Sequence, residues 1–415
     1  MDTWDVIVVG GGPAGAAAAT WLAKEGFAVT LLDRTRFPRD KACGEFLTPQ
    51  AGRLLAQLGV WKTLCRTGLR PVAATVLAAP DGRQIRHTPL DGGPTGYALR
   101  RVTLDAALLE NARTQGADVR EGFAVRGLCR DESGKVIGVE GKDSEGEPCT
   151  LRARLVVGAD GAHSIVARQL DVVLPIPRLQ RVAVVAHWQN TAGSHDTIEM
   201  RTHGPLVCGI GFPGGSPANG NSTDGVNTEA ANTTFVVPNR MASQIAGRAG
   251  EWIEQTLQSC FPDLAARLAG ATREPQIRTI GCFGHRVRSV VSDGALLVGD
   301  AATFIDPFTG EGVYFGLRGA QLAAEVAAEA LRHDDTSRAS LKAYQSARHE
   351  LSQRYLLIDL VQSVVRTPAL LNQMITRLER FPGATDRLLS ILGDKRPASD
   401  ILHPALLWRL FAPSF

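Results

Sequence analysis

The sequence is poor in the features that mark disulfide-rich, metal-binding and membrane-spanning proteins. It has seven cysteines in 415 residues and no Cys-x-x-Cys pair, which argues against both a disulfide scaffold and a zinc site. No apolar run approaches the roughly 18 residues that a membrane-spanning helix needs, and no basic segment precedes the first apolar run. We therefore expect a protein of the reducing cytoplasm that holds no metal.

Charge of one sign is also scarce. The 45 basic and 42 acidic residues leave a formal charge of +3, which is too small and too evenly spread to predict a nucleic-acid partner. With 44% hydrophobic and 21% charged residues, the chain has the composition of an ordinary globular protein. Its length is enough for two packed domains, or for one domain with a large insertion.

A glycine-rich turn lies near the start of the chain. Residues 5–9 (DVIVV) predict a buried parallel strand, and Gly10, Gly12 and Gly15 follow in the spacing G-x-G-x-x-G at the start of a predicted helix. A second predicted strand ends at Asp33. In such a unit the glycines permit a tight turn, backbone approach to a pyrophosphate and close helix packing, while the acid accepts from a ribose hydroxyl. The unit predicts a dinucleotide site, but it does not distinguish NAD from FAD.

Two further strand-and-turn motifs follow downstream. The first, LVVGADG, ends at Gly161 and contains Asp160, which could cap a helix or hold a dinucleotide. The second, LLVGDAATFIDPFTGEG, contains Asp300, ends at Gly312 and runs into an alanine-rich helix. A strand, an acid, a glycine loop and a helix N-terminus together indicate a site for an anion or a polar ring.

The three motifs, in this order and spacing, resemble the superfamily of FAD-dependent aromatic hydroxylases, geranylgeranyl reductases and flavin halogenases. The resemblance covers residues 1 to about 335. It implies an α/β fold, with a Rossmann-like FAD-binding domain of the glutathione-reductase type, an inserted antiparallel-sheet substrate domain and a C-terminal helical region. The implied ranges are 1–70, 98–180 and 278–335 for the FAD-binding domain, 71–97 and 181–277 for the substrate-binding sheet domain, and 336–415 for the helical region.

The resemblance also implies which residues hold FAD. The first motif would bind the ADP half, Asp300 the ribitol, and the turn after Asp306-Pro307 the isoalloxazine; Arg101, in the family's Arg-x-x-Leu-Asp helix start, would contact the phosphates or the ribityl chain. The residues predicted to bind FAD are Gly10, Gly12, Pro13, Ala14, Gly15, Asp33, Arg34, Cys43, Arg101, Asp160, Gly161, Asp300, Pro307, Gly310, Glu311 and Gly312. No second G-x-G-x-x-G unit exists, so NAD(P)H is expected only as a transient reductant.

The segment DKACGEF resembles the Lys-x-Cys-Gly segment of geranylgeranyl reductases and of flavoproteins that act on polyketides or lipid quinones. Cys43 is therefore the candidate catalytic residue, because a thiol near the reactive ring edge can supply a proton or shape the pocket. The alternative is a small buried cysteine that packs against FAD. Lys41 and Glu45 are expected as polar groups at the mouth of the cavity.

One strand departs from the relatives. Polyprenyl reductases usually have a Tyr-x-Trp-x-Phe-Pro segment and tryptophan halogenases a Trp-x-Trp-x-Ile-Pro segment, whereas this sequence has CGIGFP from Cys208 to Pro213. The loss of the aromatic pair speaks against halogenation and weakens a strict prenyl-reductase assignment.

We therefore predict an NAD(P)H-dependent monooxygenase that hydroxylates an aromatic or polyketide-like molecule of secondary metabolism. The alternatives are a geranylgeranyl-reductase-like ene reductase of a polyprenyl or lipid substrate, a halogenase, and a non-catalytic relative such as a Rab GDP-dissociation inhibitor.

The partners follow from the same interpretation. We expect a small hydrophobic or aromatic substrate. The closing segment HPALLWRLFAPSF is short and apolar, and it predicts core packing, a dimer contact or a weak anchor at a membrane surface. The protein is expected to be a monomer or a homodimer.

Overall fold

The computed structural model describes residues 3–191, 196–214, 230–305, 310–393, 395–404 and 408. The strands are β1 Thr3–Val9, β2 Val29–Asp33, β3 Phe46–Leu47, β4 Arg70–Val72, β5 Ala74–Ala78, β6 Gln84–His87, β7 Gly96–Ala98, β8 Asp118–Glu121, β9 Ala124–Arg130, β10 Val136–Lys142, β11 Pro148–Gly158, β12 Val173–Pro175, β13 Arg181–Gln189, β14 Thr197–His203, β15 Leu206–Gly211, β16 Ala231–Pro238, β17 Thr272–Arg273, β18 Arg278–Phe283, β19 His285–Val287, β20 Val291–Ser292, β21 Ala295–Leu297 and β22 Thr303–Phe304. The helices are α1 Pro13–Lys24, α2 Pro49–Leu58, α3 Trp61–Arg66, α4 Arg101–Thr114, α5 Ile165–Gln169, α6 Ala242–Ile245, α7 Ala249–Cys260, α8 Pro262–Arg267, α9 Gly312–Arg332, α10 Arg338–Ala347, α11 His349–Val365, α12 Pro368–Arg380 and α13 Pro382–Leu392.

The first sheet has the strand order β20-β21-β11-β1-β2-β8, and β9 and β10 extend it from β11. Strand β1 runs parallel to β2 and to β11, so that Val9 lies beside both Leu32 and Gly158. The second half of β1, Val6 to Val9, is aliphatic and fully buried, as expected where a parallel sheet is covered on both faces. Helix α1 packs against α4 and α9. The carboxyl ends of β1, β2, β11 and β21 therefore meet at one edge of the sheet, where the three glycine motifs also lie.

The second sheet has the order β17-β13-β16-β15-β14-β5-β6, with β18 beside β13. Its central strands are antiparallel, and alternate residues face opposite sides. On one side Val182, Val184 and Phe235 pack in a core with residues of α7 and α8. On the other side Ala183 and Val236 belong to a separate core that includes α12 and α13.

The C-terminal helices lie over that second side. Leu371, Ile375 and Leu388 are buried in one core with Leu77 and Val207 of the sheet. This mixed α/β architecture confirms the predicted fold class. In the described ranges, no helix is both long enough and apolar enough to span a bilayer.

Candidate functional site

The first glycine motif forms a turn between β1 and α1 that only glycine can occupy at two positions. Gly10 has φ +104°, and a Cβ atom there would lie 2.5 Å from the carbonyl oxygen of Ala159. A Cβ atom at Gly15 would lie 1.8 Å from the carbonyl oxygen of Gly10. At Gly12, by contrast, the nearest atom to such a Cβ is Nη2 of Arg39, at 3.7 Å. Gly10 and Gly15 are therefore required for close packing, whereas the backbone at Gly12 is accessible from the space in front of α1.

The acid at the end of β2 closes this turn. Asp33 accepts from the backbone N–H of Gly11 at 2.7 Å and from the N–H and hydroxyl of Thr35 at 2.8 and 2.6 Å. Arg34 is exposed beside it. Arg39 pairs with buried Asp105 at 2.9 Å and lies beside Gly12, which makes it a cation facing the predicted phosphate position. Arg39 was not predicted from the sequence, although a basic residue soon after the acid that ends β2 is a reasonable candidate.

The third motif meets the first through small residues. A Cβ atom at Gly299, whose φ is +58°, would lie 2.8 Å from Cβ of Ala14, and one at Gly316 would lie 3.4 Å from it. This close contact brings the N-termini of α1 and α9 to one cavity, which Pro13, Asp300, Gly310 and Gly312 also line. Predicted Pro307 lies outside the described residues.

The N-termini of α1 and α9 have the hydrogen-bond donors that FAD would need in this cavity. The residues that precede α1 and α9, Gly12 and Glu311, make no side-chain capping hydrogen bond, so backbone N–H groups of both first turns are available to a ligand. Such N–H groups at a helix start bind anionic or carbonyl oxygens. One helix start fits a pyrophosphate and the other a flavin carbonyl, as the predicted roles of Gly12 and Gly312 require.

The second motif, around Asp160 and Gly161, supports the start of α5. Asp160 accepts from the Ser164 hydroxyl at 2.5 Å and from the backbone N–H of Ile165 at 2.6 Å, so its carboxylate caps α5. Burial raises the pKa of Asp160, against the effect of these hydrogen bonds. The structure shows the helix cap, one of the two roles left open by the sequence, and dinucleotide binding by Asp160 stays a prediction. Gly161, with φ +84°, lines the cavity next to it.

The cavity holds an empty volume of ≈ 2230 Å³, part of which is open to solvent. The cavity extends from the N-termini of α1 and α9 to an aliphatic end, which lies between the second sheet and the C-terminal helices. The residues that line the aliphatic end include Ala183, Val185, Ile198, Met200, Val207, Val236, Ile280, Ile358, Val361, Leu389 and Leu392.

Lys41, Cys43 and Arg101 line the cavity between its two ends. Burial lowers the pKa of Lys41, and the guanidinium of Arg101 lowers it further. Burial raises the pKa of Cys43, so the thiol keeps its proton, although Arg101 contacts the sulfur and favours the thiolate. Arg101 itself is held by Asp105 through two contacts of 2.7 Å. The result is a protonated thiol beside a fixed cation.

Glu45 is buried rather than at the cavity mouth, and this corrects the expectation from the sequence. It forms the Glu45 cluster with His187 of β13 and Asn232 of β16, and each of the three side chains is 2% exposed or less. Glu45 Oε2 lies 2.9 Å from His187 Nε2 and accepts from Asn232 Nδ2 at 3.0 Å. Burial raises the pKa of Glu45, but His187, Arg100 and the Arg101 backbone N–H together hold it below its ordinary value. Burial lowers the pKa of His187, but Glu45 and Asp40 together raise it above its ordinary value. The pair is therefore charged.

Sequence reasoning missed His187 and Asn232. The pattern that could have found them is a polar residue in a strand that is otherwise apolar, since His187 interrupts RVAVVAHW. A further histidine, His285 of β19, is buried, and burial lowers its pKa.

Strand β15 contributes to both sides of the second sheet, and its Val207 and Ile210 also line the cavity. Cys208, Ile210 and Phe212 are buried in the core with residues of α7 and α8. The neighbouring Gly209 and Gly211 line the cavity. The two positions that are aromatic in the relatives, 208 and 210, therefore belong to the core on the α7 and α8 side of the sheet.

Comparisons with known proteins agree with this geometry. The model of the FAD binding domain family matches residues 3–357. The chain is 32% identical over 331 residues to a menaquinone reductase of Mycolicibacterium smegmatis, covering 78% of this chain and 76% of that protein. It is 31% identical over 366 residues to digeranylgeranylglycerophospholipid reductase 2 of Methanopyrus kandleri, covering 84% and 82%. The structure of the flavin-dependent brominase Bmp2 superposes with a TM-score of 0.79 at 22% identity, covering 94% of each chain, and shares the fold. The chain therefore belongs to the superfamily of FAD-dependent oxidoreductases that includes geranylgeranyl reductases and flavin halogenases.

Proposed function

We propose that this protein is an FAD-dependent reductase that saturates a carbon–carbon double bond in a long aliphatic substrate of the isoprenoid type. The observation that supports this most is the aliphatic end of the cavity, which extends from the Cys43 region to the C-terminal helices. Aliphatic side chains of β13, β15, β16 and α11 form its wall, so a long apolar chain gains most of its binding energy there from burial. The names of the menaquinone and digeranylgeranylglycerophospholipid reductases agree with such a substrate.

Different residues of the chain would contribute to proton donation, charge stabilisation and cofactor binding. FAD, once reduced by NAD(P)H, would supply the hydride that adds to one alkene carbon. The Cys43 thiol donates the proton to the other carbon, so that the substrate gains two hydrogens. Arg101 stabilises the thiolate that remains, because its guanidinium already contacts the sulfur. Gly12 and Gly312 present backbone N–H groups to the cofactor, and the aliphatic walls exclude water from the reacting carbons.

A monooxygenase, the reaction predicted first from the sequence, is the second candidate. It is supported by the same enclosed cavity, because oxygen transfer to an aromatic ring also requires a site that excludes water. The polar side chains of Glu45, Asn232 and Thr234 at its centre would suit a phenolic substrate. The two candidates differ in their need for oxygen.

The experiment compares the two reactions directly. Purified protein, with FAD content verified by absorbance, is incubated with NADH or NADPH and either a menaquinone, a geranylgeranyl lipid or a phenolic polyketide, both anaerobically and in air. A product that has gained two hydrogens under anaerobic conditions supports the reductase. A product that has gained one oxygen, formed only in air, overturns the reductase and supports the monooxygenase.

A further inference from the structure

The backbone between Cys43 and Glu45 adopts a conformation that needs external support. Glu45 has φ +59°, in the left-handed region that residues with a Cβ atom rarely occupy. Such a conformation persists only where the surroundings fix it, and it is concentrated at functional sites. Its backbone N–H donates to Cys43 Sγ at 3.3 Å, so the geometry at Glu45 determines where the thiol points.

We propose that the Glu45 cluster positions Cys43, by fixing residues 43–45 so that the thiol faces the cavity beside Arg101. This inference rests on the proposed function, in which Cys43 donates the proton. Glu45, His187 and Asn232 are then positioning residues, because they act through Cys43.

Hydrogen bonds from three separate elements fix the segment. The carboxylate of Glu45 accepts from the Arg101 backbone N–H at the start of α4, from His187 of β13 and from Asn232 of β16, at 3.0, 2.9 and 3.0 Å. Asn232 also donates to the carbonyl oxygen of Cys43 at 2.9 Å. Its amide cannot rotate freely, since Thr234 donates to its oxygen at 2.8 Å. Both ends of the segment are thus tied to the substrate-facing sheet.

Stability alone does not account for a charged pair in this place. Replacing a buried ion pair with apolar residues of similar volume is often neutral or stabilising. The neighbouring strand positions Val185 and Val236 are apolar and face the same cavity, so an apolar wall is compatible with this sheet. His187 also retains an unpartnered, buried Nδ1 among the described residues, a further cost that a purely structural contact would avoid.

The test measures the reactivity of the Cys43 thiol in the FAD-bound protein. The rate of alkylation by iodoacetamide is followed at several pH values by mass spectrometry of the peptide that contains Cys43. His187→Leu removes the donor, and Glu45→Gly removes the carboxylate and relieves the left-handed strain. Both are expected to raise the alkylation rate about tenfold or more, because a thiol released from burial has a lower pKa and forms more of the reactive thiolate. His187→Gln, which retains a donor, should stay close to the wild-type rate.

His87→Leu is the matched control. His87 lines the same cavity and contacts a carboxylate, Asp386, at 3.0 Å, but it lies on β6 outside the Glu45 cluster. It should leave the alkylation rate of Cys43 unchanged.

Unchanged alkylation in folded, FAD-containing His187→Leu and Glu45→Gly proteins would overturn the proposal. Should either variant fail to fold, Asn232→Ala decides, because it frees the Cys43 carbonyl without removing the Glu45–His187 pair; a wild-type rate there overturns the proposal as well. Failure of the proposed function has a different outcome: full anaerobic turnover by Cys43→Ala, which has no proton to donate, contradicts proton donation by Cys43 and leaves the alkylation results valid.

Discussion

At the scale of single residues, the protonated state of Cys43 is the property that suits it to donate a proton. Because burial raises its thiol pKa, the group is an acid rather than a nucleophile at neutral pH. Cys43→Ala is expected to lower kcat for alkene reduction about a hundredfold, with KM and FAD content little changed. Steady-state kinetics check this, with exposed Cys65→Ala as the control. A wild-type kcat in Cys43→Ala would mean that the residue only packs in the cavity wall.

The Glu45–His187 pair makes stability depend on pH in a defined direction. The pKa of His187 is raised above its ordinary 6.5. Its contribution to the free energy of unfolding is therefore complete below about pH 6.5 and is lost as pH rises through the folded-state pKa. The pKa of Glu45 is lowered below 4.5, so its contribution is present above about pH 4.5 and is lost as pH falls through the folded-state value. Arg100 and Asp40, which also face His187, act in opposite directions on it.

We expect the difference in unfolding free energy between wild type and His187→Gln to be largest between about pH 4.5 and 6.5 and to shrink as pH rises further. Urea unfolding from pH 5 to 9 measures this difference. The substitution His203→Gln, at an exposed position of β14, serves as the control. A difference that stays constant over the whole range would show that the pair is not charged.

At the scale of elements, the β1–α1 turn separates packing from ligand binding. A Cβ atom at position 15 collides with a backbone oxygen at 1.8 Å, whereas one at position 12 meets only the flexible Arg39 at 3.7 Å. Gly15→Ala should therefore destabilise the protein even without FAD. Gly12→Ala should fold normally and lose at least about tenfold in FAD affinity, because the methyl group occupies the approach to the pyrophosphate. Thermal unfolding with and without FAD distinguishes the two, and equal loss of stability in both apo-proteins would contradict the assignment.

Helix α11 connects the turn at Glu311 to the C-terminal region. Buried Arg354 contacts Glu311 at 3.0 Å and donates to the carbonyl oxygens of Ile391 and Arg396 at 3.2 and 3.0 Å. Arg354→Met should cost about 3–5 kcal/mol of stability, because it leaves a carboxylate buried without its cation. Adding Glu311→Gln should restore part of that loss. Chemical denaturation of the single and double variants checks this, and equal stability of the two would contradict it.

At the scale of the whole molecule, the sequence predicted what depends on local spacing. The glycine turns at Gly10–Gly15 and Gly310–Gly312 follow from short motifs, and their meeting follows from the rule that parallel strands end at one edge. The sequence could not place Glu45, which was expected at the cavity mouth, because its partners His187 and Asn232 come from strands more than a hundred residues away. The orientation of Cys208 likewise depends on the register of β15, since a shift of one residue reverses every side chain.

The shape of the cavity as a whole makes a prediction about substrate length. Ala183 lines the cavity two positions beyond Val185 and four beyond His187 along β13, so it faces the part of a substrate that is remote from Cys43. Ala183→Leu should raise KM for long-chain substrates by about tenfold and leave short-chain analogues almost unaffected, because the added methyl groups occupy space that only a long chain reaches.

Ala186→Leu is the matched control: it adds the same volume to the same strand, on the face that packs with α7 and α8. It should lower stability by about 1–3 kcal/mol without changing the preference for chain length. Kinetics with a series of isoprenoid chain lengths measure this preference. Equal losses for long and short chains in Ala183→Leu would show that the substrate does not extend along the aliphatic end.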